Sequence, residues 1–206
     1  MSPLDTLGFA LGTSFASGLN LYATVAAAGL FQRFGIIQLP EPLQVLAHPM
    51  VYGLAIALFV IEFIADKIPY VDSVWDAVHT FIRPPAAALL SYSAFAGGVP
   101  EQYKIGAALL AGAVALTSHG AKATTRAAAN VSPEPVSNWT LSVVEDLLAV
   151  FLACLAASHP LLAAALVAVL VILAVFLIRR LFRFFRQVVT RFGRGTSGAE
   201  PAPTSR

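Results

Sequence analysis

The chain has 206 residues, of which 58% are hydrophobic and only 12% are charged, and its formal net charge is +2. A soluble domain is usually about a quarter charged, so this composition, with a mean hydropathy of +0.77, excludes an ordinary water-soluble fold. At roughly 20 residues per span, the length fits one membrane domain of about six helices and excludes a large additional soluble domain.

Six apolar blocks follow one another along the chain, and each predicts a transmembrane helix. The blocks lie at approximately 7–31, 46–65, 85–98, 105–119, 141–157 and 161–178. The third and fourth blocks fall short of the roughly 20 residues that a span requires. We therefore expect segment 71–83 to extend the third helix and segment 120–130 to extend the fourth.

Segment 71–83 has the pattern of a short amphipathic helix. One stripe of this helix carries four ionisable side chains, spaced i, i+4, i+7 and i+11: Asp72, Asp76, His79 and Arg83. The rest of the helix surface is mostly apolar. The helix is expected on the cytoplasmic side, where it lies in the membrane interface or re-enters the membrane before Pro84-Pro85.

The sixth block continues without a break into a basic helix, predicted at 179–194. Its arginines are Arg179, Arg180, Arg183, Arg186, Arg191 and Arg194. This pattern predicts an interfacial helix that contacts the lipid bilayer and the anionic lipid head groups of the inner leaflet. A positive-inside stop signal without lipid recognition is the alternative. Residues 195–206 are rich in Gly, Pro and Ser and are predicted to be disordered.

The distribution of Lys and Arg predicts the orientation of this single transmembrane domain, 1–194, in the cell (inner) membrane. Cytoplasmic segments carry an excess of these residues, and here the C-terminal arginines supply much of that excess. With six spans, the N- and C-termini are both expected in the cytoplasm.

The two halves of the chain resemble each other weakly. Segment 17–24 has a counterpart at 118–125, and each is followed by a Pro-Glu-Pro turn, at 40–42 and at 133–135. The similarity predicts an all-α integral membrane fold built from a repeated three-helix unit.

Two such repeats, at about 7–98 and 105–178, would have opposite orientations in the membrane. This inverted-repeat plan is common among secondary transporters. Helix breaks are expected near Ser17-Gly18 and near Ser118-His119-Gly120, because Gly and Ser loosen a helix. The alternative is that these small residues allow close helix packing.

Four motifs stand out as a set. They are Ser17-Gly-Leu-Asn20, the stretch from Glu62 to Pro85, Ser118-His-Gly-Ala-Lys122-Ala-Thr-Thr-Arg126, and Ser132-Pro-Glu-Pro135. Together they resemble the signature of a bacterial membrane family that is catalogued only as a domain of unknown function, over roughly residues 7–178. The resemblance implies a polytopic membrane protein and implies no particular activity.

A set of polar residues lies within or next to the apolar blocks, and it forms the candidate pathway for a substrate or an ion. The set comprises Asn20, Glu62, Asp66, Asp72, Asp76, His79, Arg83, His119, Lys122, Arg126, Glu145 and Asp146. A charge at the bilayer centre costs about 2.5–3.5 kcal/mol, so these residues need partners or a function. Lys122 and Arg126 are the expected partners of Glu145 and Asp146.

Four interpretations of this set remain open. The charges are solvated or form structural salt bridges, or they line a vestibule in which a carboxylate carries a coupling proton or cation. A third interpretation is a divalent-metal site formed by carboxylates and one histidine: Glu62, Asp66, Asp72, Asp76 and His79. The fourth is an enzyme acting on lipids, although the sequence contains no common catalytic or phosphate-binding motif.

The sequence therefore favours a small secondary transporter or channel-like protein for an ion or a small polar solute, and not an enzyme. No catalytic residue, resident metal or cofactor is expected. The alternative is a structural or lipid-organising membrane protein without transport activity. No nucleic-acid partner is expected, and a homodimer is considered because six short helices enclose little space.

Overall fold

The computed structural model describes residues 1–68, 70–95, 99–130 and 135–195, so the predicted disordered tail lies almost entirely outside the described residues. These ranges are helical and contain no strand, which confirms the all-α prediction. The helices are α1 (Pro3–Leu19), α2 (Leu21–Arg33), α3 (Pro49–Ala65), α4 (Val71–His79), α5 (Arg83–Ala94), α6 (Glu101–Asn130), α7 (Pro135–Ser158) and α8 (Pro160–Gly195), and a 3₁₀ helix at Glu41–Ala47 precedes α3.

Two of the described helices are long and apolar enough to cross a membrane. They are Asn138–Ser158, with a mean hydropathy of 2.0, and Pro160–Phe184, with a mean hydropathy of 3.4. The 3₁₀ helix and α3 pass the same test only as a pair, and the pair is bent by 66°. These helices are typical of a membrane protein, but length and composition support two or three spans and not the predicted six.

The first apolar block is not one continuous span, because Asn20 separates α1 from α2. The backbone of Asn20 is extended (φ −149°, ψ 104°), and its side-chain oxygen caps α2 by accepting a backbone hydrogen bond at 2.8 Å. Phe9 and Thr13 of α1 line one narrow cleft with Thr24 and Ala28 of α2. A straight helix would place Phe9 and Ala28 about 28 Å apart. The segment is therefore a helical hairpin with its tip at Asn20.

Helix α6 runs without interruption from Glu101 to Asn130, a length of about 45 Å. The predicted break at Ser118-His119-Gly120 is therefore wrong, whereas the predicted helical extension at 120–130 is confirmed. The helix contains no proline and is rich in alanine, the strongest helix former, so its isolated glycines do not interrupt it.

Helices α4 and α5 lie one after the other alongside α6 and run antiparallel to it. Asn130, at the end of α6, donates a hydrogen bond to Asp72 at 3.0 Å, and a Cβ added at Gly112 would lie 3.3 Å from the Pro84 carbonyl oxygen. Segment 71–83 therefore leads into the third apolar helix, but as the separate short helix α4 and a turn at 80–82 and not as the predicted continuous extension.

Small residues allow α1 to approach its neighbours closely. A Cβ added at Gly8 would meet the backbone of Pro160 at the start of α8, and one at Gly18 would meet Ser118 and Ala115 of α6. Close packing at small residues is a common basis of helix association in membranes. The close-packing alternative considered for Ser17-Gly18 and Ser118 thus accounts for these residues.

This packing predicts that Gly8→Ala destabilises the protein. The added methyl group overlaps the Pro160 carbonyl, and overpacking typically costs about 1–3 kcal/mol. Gly53→Ala is the matched control, because a Cβ at Gly53 in α3 meets no atom within 4 Å and alanine is the better helix former by about 1 kcal/mol. Denaturant unfolding in detergent should show opposite signs for the two variants. Equal stability of both would contradict the proposed α1–α8 contact.

Candidate functional site

Five helices and the hairpin tip bring buried ionisable side chains together in one place, which we name the charge cluster. Helix α3 supplies Glu62 and Asp66, α4 supplies Asp76, α5 supplies Arg83, α6 supplies His119, Lys122 and Arg126, and α7 supplies Glu145 and Asp146. All of these side chains belong to residues that are at most 9% exposed. Solvation at the protein surface therefore does not account for these charges, because the surrounding helices bury their side chains.

Arg83 links three parts of the cluster. Its Nη2 donates to Glu62 Oε1 at 2.6 Å, and its Nη1 donates to the Gly18 carbonyl at 2.9 Å and to His119 Nδ1 at 2.8 Å. Because a guanidinium can only donate, His119 accepts at Nδ1 and carries its proton on Nε2. This nitrogen faces the Asp76 carbonyl oxygen at 3.0 Å. Arg83 thus ties α3, α6 and the end of α1 together.

Lys122 and Arg126 bind the remaining acids one and two turns further along α6. Lys122 Nζ lies 3.1 Å from Glu62 Oε1 and 2.9 Å from Asp66 Oδ2. Arg126 Nη2 bridges Asp66 Oδ2 at 2.9 Å and Glu145 Oε2 at 2.6 Å. The predicted pairing of Arg126 with Glu145 is confirmed, and Lys122 lies 3.9 Å from the same carboxylate. The predicted pairing of these cations with Asp146 is wrong, because Asp146 accepts from the Asn20 amide instead.

The tip of the α1–α2 hairpin is part of this cluster. Arg83 and Lys122 donate to the carbonyls of Gly18 and Leu19, where α1 ends, and cations there oppose the negative end of the helix dipole. Asn20 donates from Nδ2 to Asp146 Oδ1 at 2.8 Å. The sequence indicated Asn20 but not the two carbonyls, because main-chain acceptors leave no signal in residue types.

The carboxylates of the cluster outnumber its cations, with Glu62, Asp66, Asp76, Glu145 and Asp146 facing Arg83, Lys122 and Arg126. Several buried atoms also lack a hydrogen-bond partner among the described residues: Glu62 Oε2, Asp66 Oδ1, both carboxylate oxygens of Asp76, Asp146 Oδ2, Arg83 Nε and Ser17 Oγ. A buried polar atom without a partner is costly and calls for an explanation. The cluster therefore has a capacity for protons, water or a ligand that its own side chains do not use.

Lys67 does not balance this excess, although it lies at the edge of the cluster in the turn after α3. Its ammonium donates to the Phe63 carbonyl at 3.0 Å and lies 2.8 Å from the centroid of the Phe63 ring. Partial burial lowers the pKa of this ammonium below its usual range. It forms no ion pair within the described part of the chain.

Two of the predicted site residues on α4 lie outside the cluster's ion pairs. Asp72 accepts hydrogen bonds from Asn130 Nδ2 and from the backbone N–H of Ser73. His79 Nε2 lies 3.0 Å from the Tyr22 hydroxyl, and its ring stacks on Trp75. The predicted stripe is therefore buried along its whole length, but only Asp76 and Arg83 of its four members enter the cluster.

The divalent-metal interpretation lacks a ligand set. Across the described ranges, no group of three or more His, Cys, Asp or Glu side chains is placed to hold one metal ion. Most of the carboxylates proposed for that site instead have cationic or amide partners. The structure also places three polar residues beside the cluster that were not in the predicted site, namely Ser17, Tyr22 and Thr80, since an isolated hydroxyl in an apolar segment gives no distinctive pattern.

The fold and the site together define an all-helical protein with helices long and apolar enough to span a membrane and with a buried, partly paired charge cluster. The chain belongs to the family described as domain of unknown function (DUF4126), whose model matches residues 7–180. No curated protein and no solved structure matches the chain. The family membership confirms the resemblance carried by the sequence motifs and assigns no activity.

The ion pairs of Arg126 predict a large loss of stability in Arg126→Gln. Removing this cation leaves Glu145 without its shortest ion pair and leaves Asp66 paired with Lys122 alone, and breaking a buried pair typically costs about 3–5 kcal/mol. Arg33→Gln is the control, because Arg33 is exposed at the end of α2 and should change stability by less than about 0.5 kcal/mol. Unfolding in detergent measures both. Similar stability of the two variants would show that the buried pairs are dispensable.

Proposed function

We propose that the chain is a small secondary transporter or channel-like membrane protein that moves an ion or a small polar solute. The observation that carries this proposal is the excess of buried carboxylates at the tip of a helical hairpin. Ionisable groups inside membrane domains are expensive and commonly mark ion or substrate pathways. Interrupted helices beside such groups are also typical of transporter binding sites.

We propose a topology in which the α1–α2 hairpin re-enters from one side, while α3, the α4–α5 pair, α6, α7 and α8 cross. Gly8 packs on Pro160 at the start of α8, and Gly120 packs near Ile178 at its basic part, which supports placing the N-terminus and the arginines at opposite ends. With these arginines in the cytoplasm, the N-terminus lies outside. This proposed topology takes the place of the expectation from the sequence, which was a six-span inverted repeat with both termini in the cytoplasm.

A hydroxyl-bearing face of α1 supports an access route to the hairpin tip. Thr6, Thr13 and Ser17 are spaced i, i+7 and i+11, which places them on one side of the helix, and Asn20 follows directly after the end of α1. All four are buried. Thr6 also lines a cavity of about 790 Å³ at the N-terminal end of the bundle. We propose that this face connects the cavity to the charge cluster.

We expect a solute that binds the cluster to raise the free energy of unfolding of the purified protein in detergent. The solutes to be tested, over a range of pH, are alkali cations, chloride, phosphate and amino acids. A ligand that binds only the folded state at 100 times its Kd adds about 2.7 kcal/mol. Asp146→Asn should abolish the gain, because Asp146 has an unpartnered oxygen in the cluster. Glu101→Gln, at an exposed position at the start of α6, should retain it.

The opposite result would favour the structural alternative. If no condition stabilises the wild-type protein, and Asp146→Asn is merely less stable, the cluster holds the helices together and binds nothing. Flux measurements in liposomes with the stabilising solute then separate binding from transport, since only a transporter moves the solute across the bilayer.

The C-terminal part of α8 favours a second, lipid-organising role. Arg180 and Arg183 line one surface cleft with Phe176 and Phe184, and Arg183 and Arg179 line another with Phe182. Arginines interleaved with exposed aromatic rings suit the boundary between anionic head groups and acyl chains. We propose that this segment binds the anionic inner leaflet.

This proposal predicts that the protein is more stable in nanodiscs containing phosphatidylglycerol than in purely phosphatidylcholine nanodiscs. Replacing Arg179, Arg180 and Arg183 together by glutamine should remove most of the difference, at roughly 1 kcal/mol per arginine. Raising the salt concentration should reduce it in the wild-type protein, because the attraction is screened. A difference that survives the triple substitution would contradict head-group binding by these residues.

A further inference from the structure

We propose that the ion handled by the charge cluster is the proton, and that the Asp76 carboxylate binds and releases it. This inference rests on the proposed function and names its ion. Asp76 is 2% exposed, and both of its carboxylate oxygens lack a hydrogen-bond partner among the residues described.

Asp76 differs in this respect from the other buried carboxylates. Glu62 and Asp66 each accept from two cationic side chains, and Glu145 accepts from Arg126. Asp146 accepts from an amide. Asp76 is therefore the carboxylate whose negative charge has no donor to stabilise it, and binding a proton removes that charge.

The nearest cation to Asp76 is already committed elsewhere. Arg83 Nη2 lies 3.8 Å from Asp76 Oδ1 but 2.6 Å from Glu62 Oε1, and its Nη1 bonds to the hairpin tip. The other titratable groups around Asp76 are Asp66 and Glu62 on α3, His119, Lys122 and Arg126 on α6, and His79 on its own helix. His119 is already engaged as an acceptor from Arg83, so it offers no positive charge to Asp76.

The surroundings of Asp76 favour a proton over a metal cation. Hard cations such as Ca²⁺ and Mg²⁺ require about six or more oxygen ligands, and the described residues hold no group of three acidic or histidine side chains that could share one. The Arg83 guanidinium, 3.8 Å away, also repels a bound cation. A proton needs only one carboxylate oxygen, with which it forms an O–H bond.

Protonation of Asp76 also has a structural consequence. The carboxylate takes up one proton and loses one negative charge, and release restores both. In the charged state Asp76 attracts Arg83, while in the neutral state this attraction is lost and Arg83 keeps its bonds to Glu62, His119 and the Gly18 carbonyl. Because Gly18 lies at the hairpin tip, the proton on Asp76 biases the position of the tip.

Infrared difference spectroscopy of the full-length protein in detergent tests the site. A pH change should produce a protonated-carboxyl C=O band that shifts in D₂O. The band should be lost in Asp76→Asn and retained in Asp72→Asn, because Asp72 lies one turn away on the same helix with its oxygens hydrogen-bonded. A band that persists in Asp76→Asn overturns the assignment.

If Asp76→Asn does not fold, Asp76→Glu decides the same question. This variant keeps a carboxyl group but moves it by one methylene, so the band should remain and change frequency. An unchanged band would show that another carboxyl group titrates.

Proton flux into liposomes, read with an entrapped pH dye under an imposed potassium diffusion potential, separates the two proposals. Asp76→Asn should reduce the flux by at least about a hundredfold, the usual effect of removing a proton-transfer group, and Asp72→Asn should not. Flux that is unaffected by Asp76→Asn overturns the proton site while transport stands. An Asp76 band without any flux supports the site and overturns the transport function.

Discussion

The cost of burying charge away from water governs this structure. An unpaired ion inside an apolar bundle is penalised by several kcal/mol, so each buried cation must collect acceptors wherever the chain supplies them. Arg83, Lys122 and Arg126 collect carboxylates from α3 and α7 and carbonyls from the hairpin tip. These directional bonds fix the helices relative to one another. Apolar contacts alone would do so weakly, because lipid tails compete equally for apolar surface.

The hairpin depends on the same constraint. The last carbonyls of any helix lack internal partners, and in the interior of a membrane domain they must be satisfied by other groups. Arg83 and Lys122 satisfy those of Gly18 and Leu19, and the Asn20 side chain caps the helix that follows. The buried cations and the buried turn therefore stabilise each other, and neither is expected to persist alone.

The sequence predicted the features that depend on local spacing and missed those that depend on distant partners. Helical periodicity predicted the extension of α6 and the stripe on α4. A break near Ser17-Gly18 was predicted, and α1 ends at Leu19. The reversal of the chain at Asn20 was missed, because this turn is stabilised by contacts with Arg83 and Lys122 far along the chain. The weak similarity between the two halves suggested a break in α6 that the continuous helix does not have. The polar set was predicted as a group, but its division into paired and unpartnered members required the atomic contacts.

The imbalance within the cluster is the feature that favours the proposed functional network over a purely structural one. A network that served only stability would be expected to match each carboxylate with a donor, because an unpaired buried charge destabilises the fold. Asp76 instead has two oxygens without a hydrogen-bond partner in the part of the chain that the structure describes, and such departures from full pairing are expected at functional sites. Its neighbour Arg83 also holds the hairpin tip through Gly18. A change of charge on Asp76 therefore acts on a side chain that joins the acidic cluster to the interrupted helix.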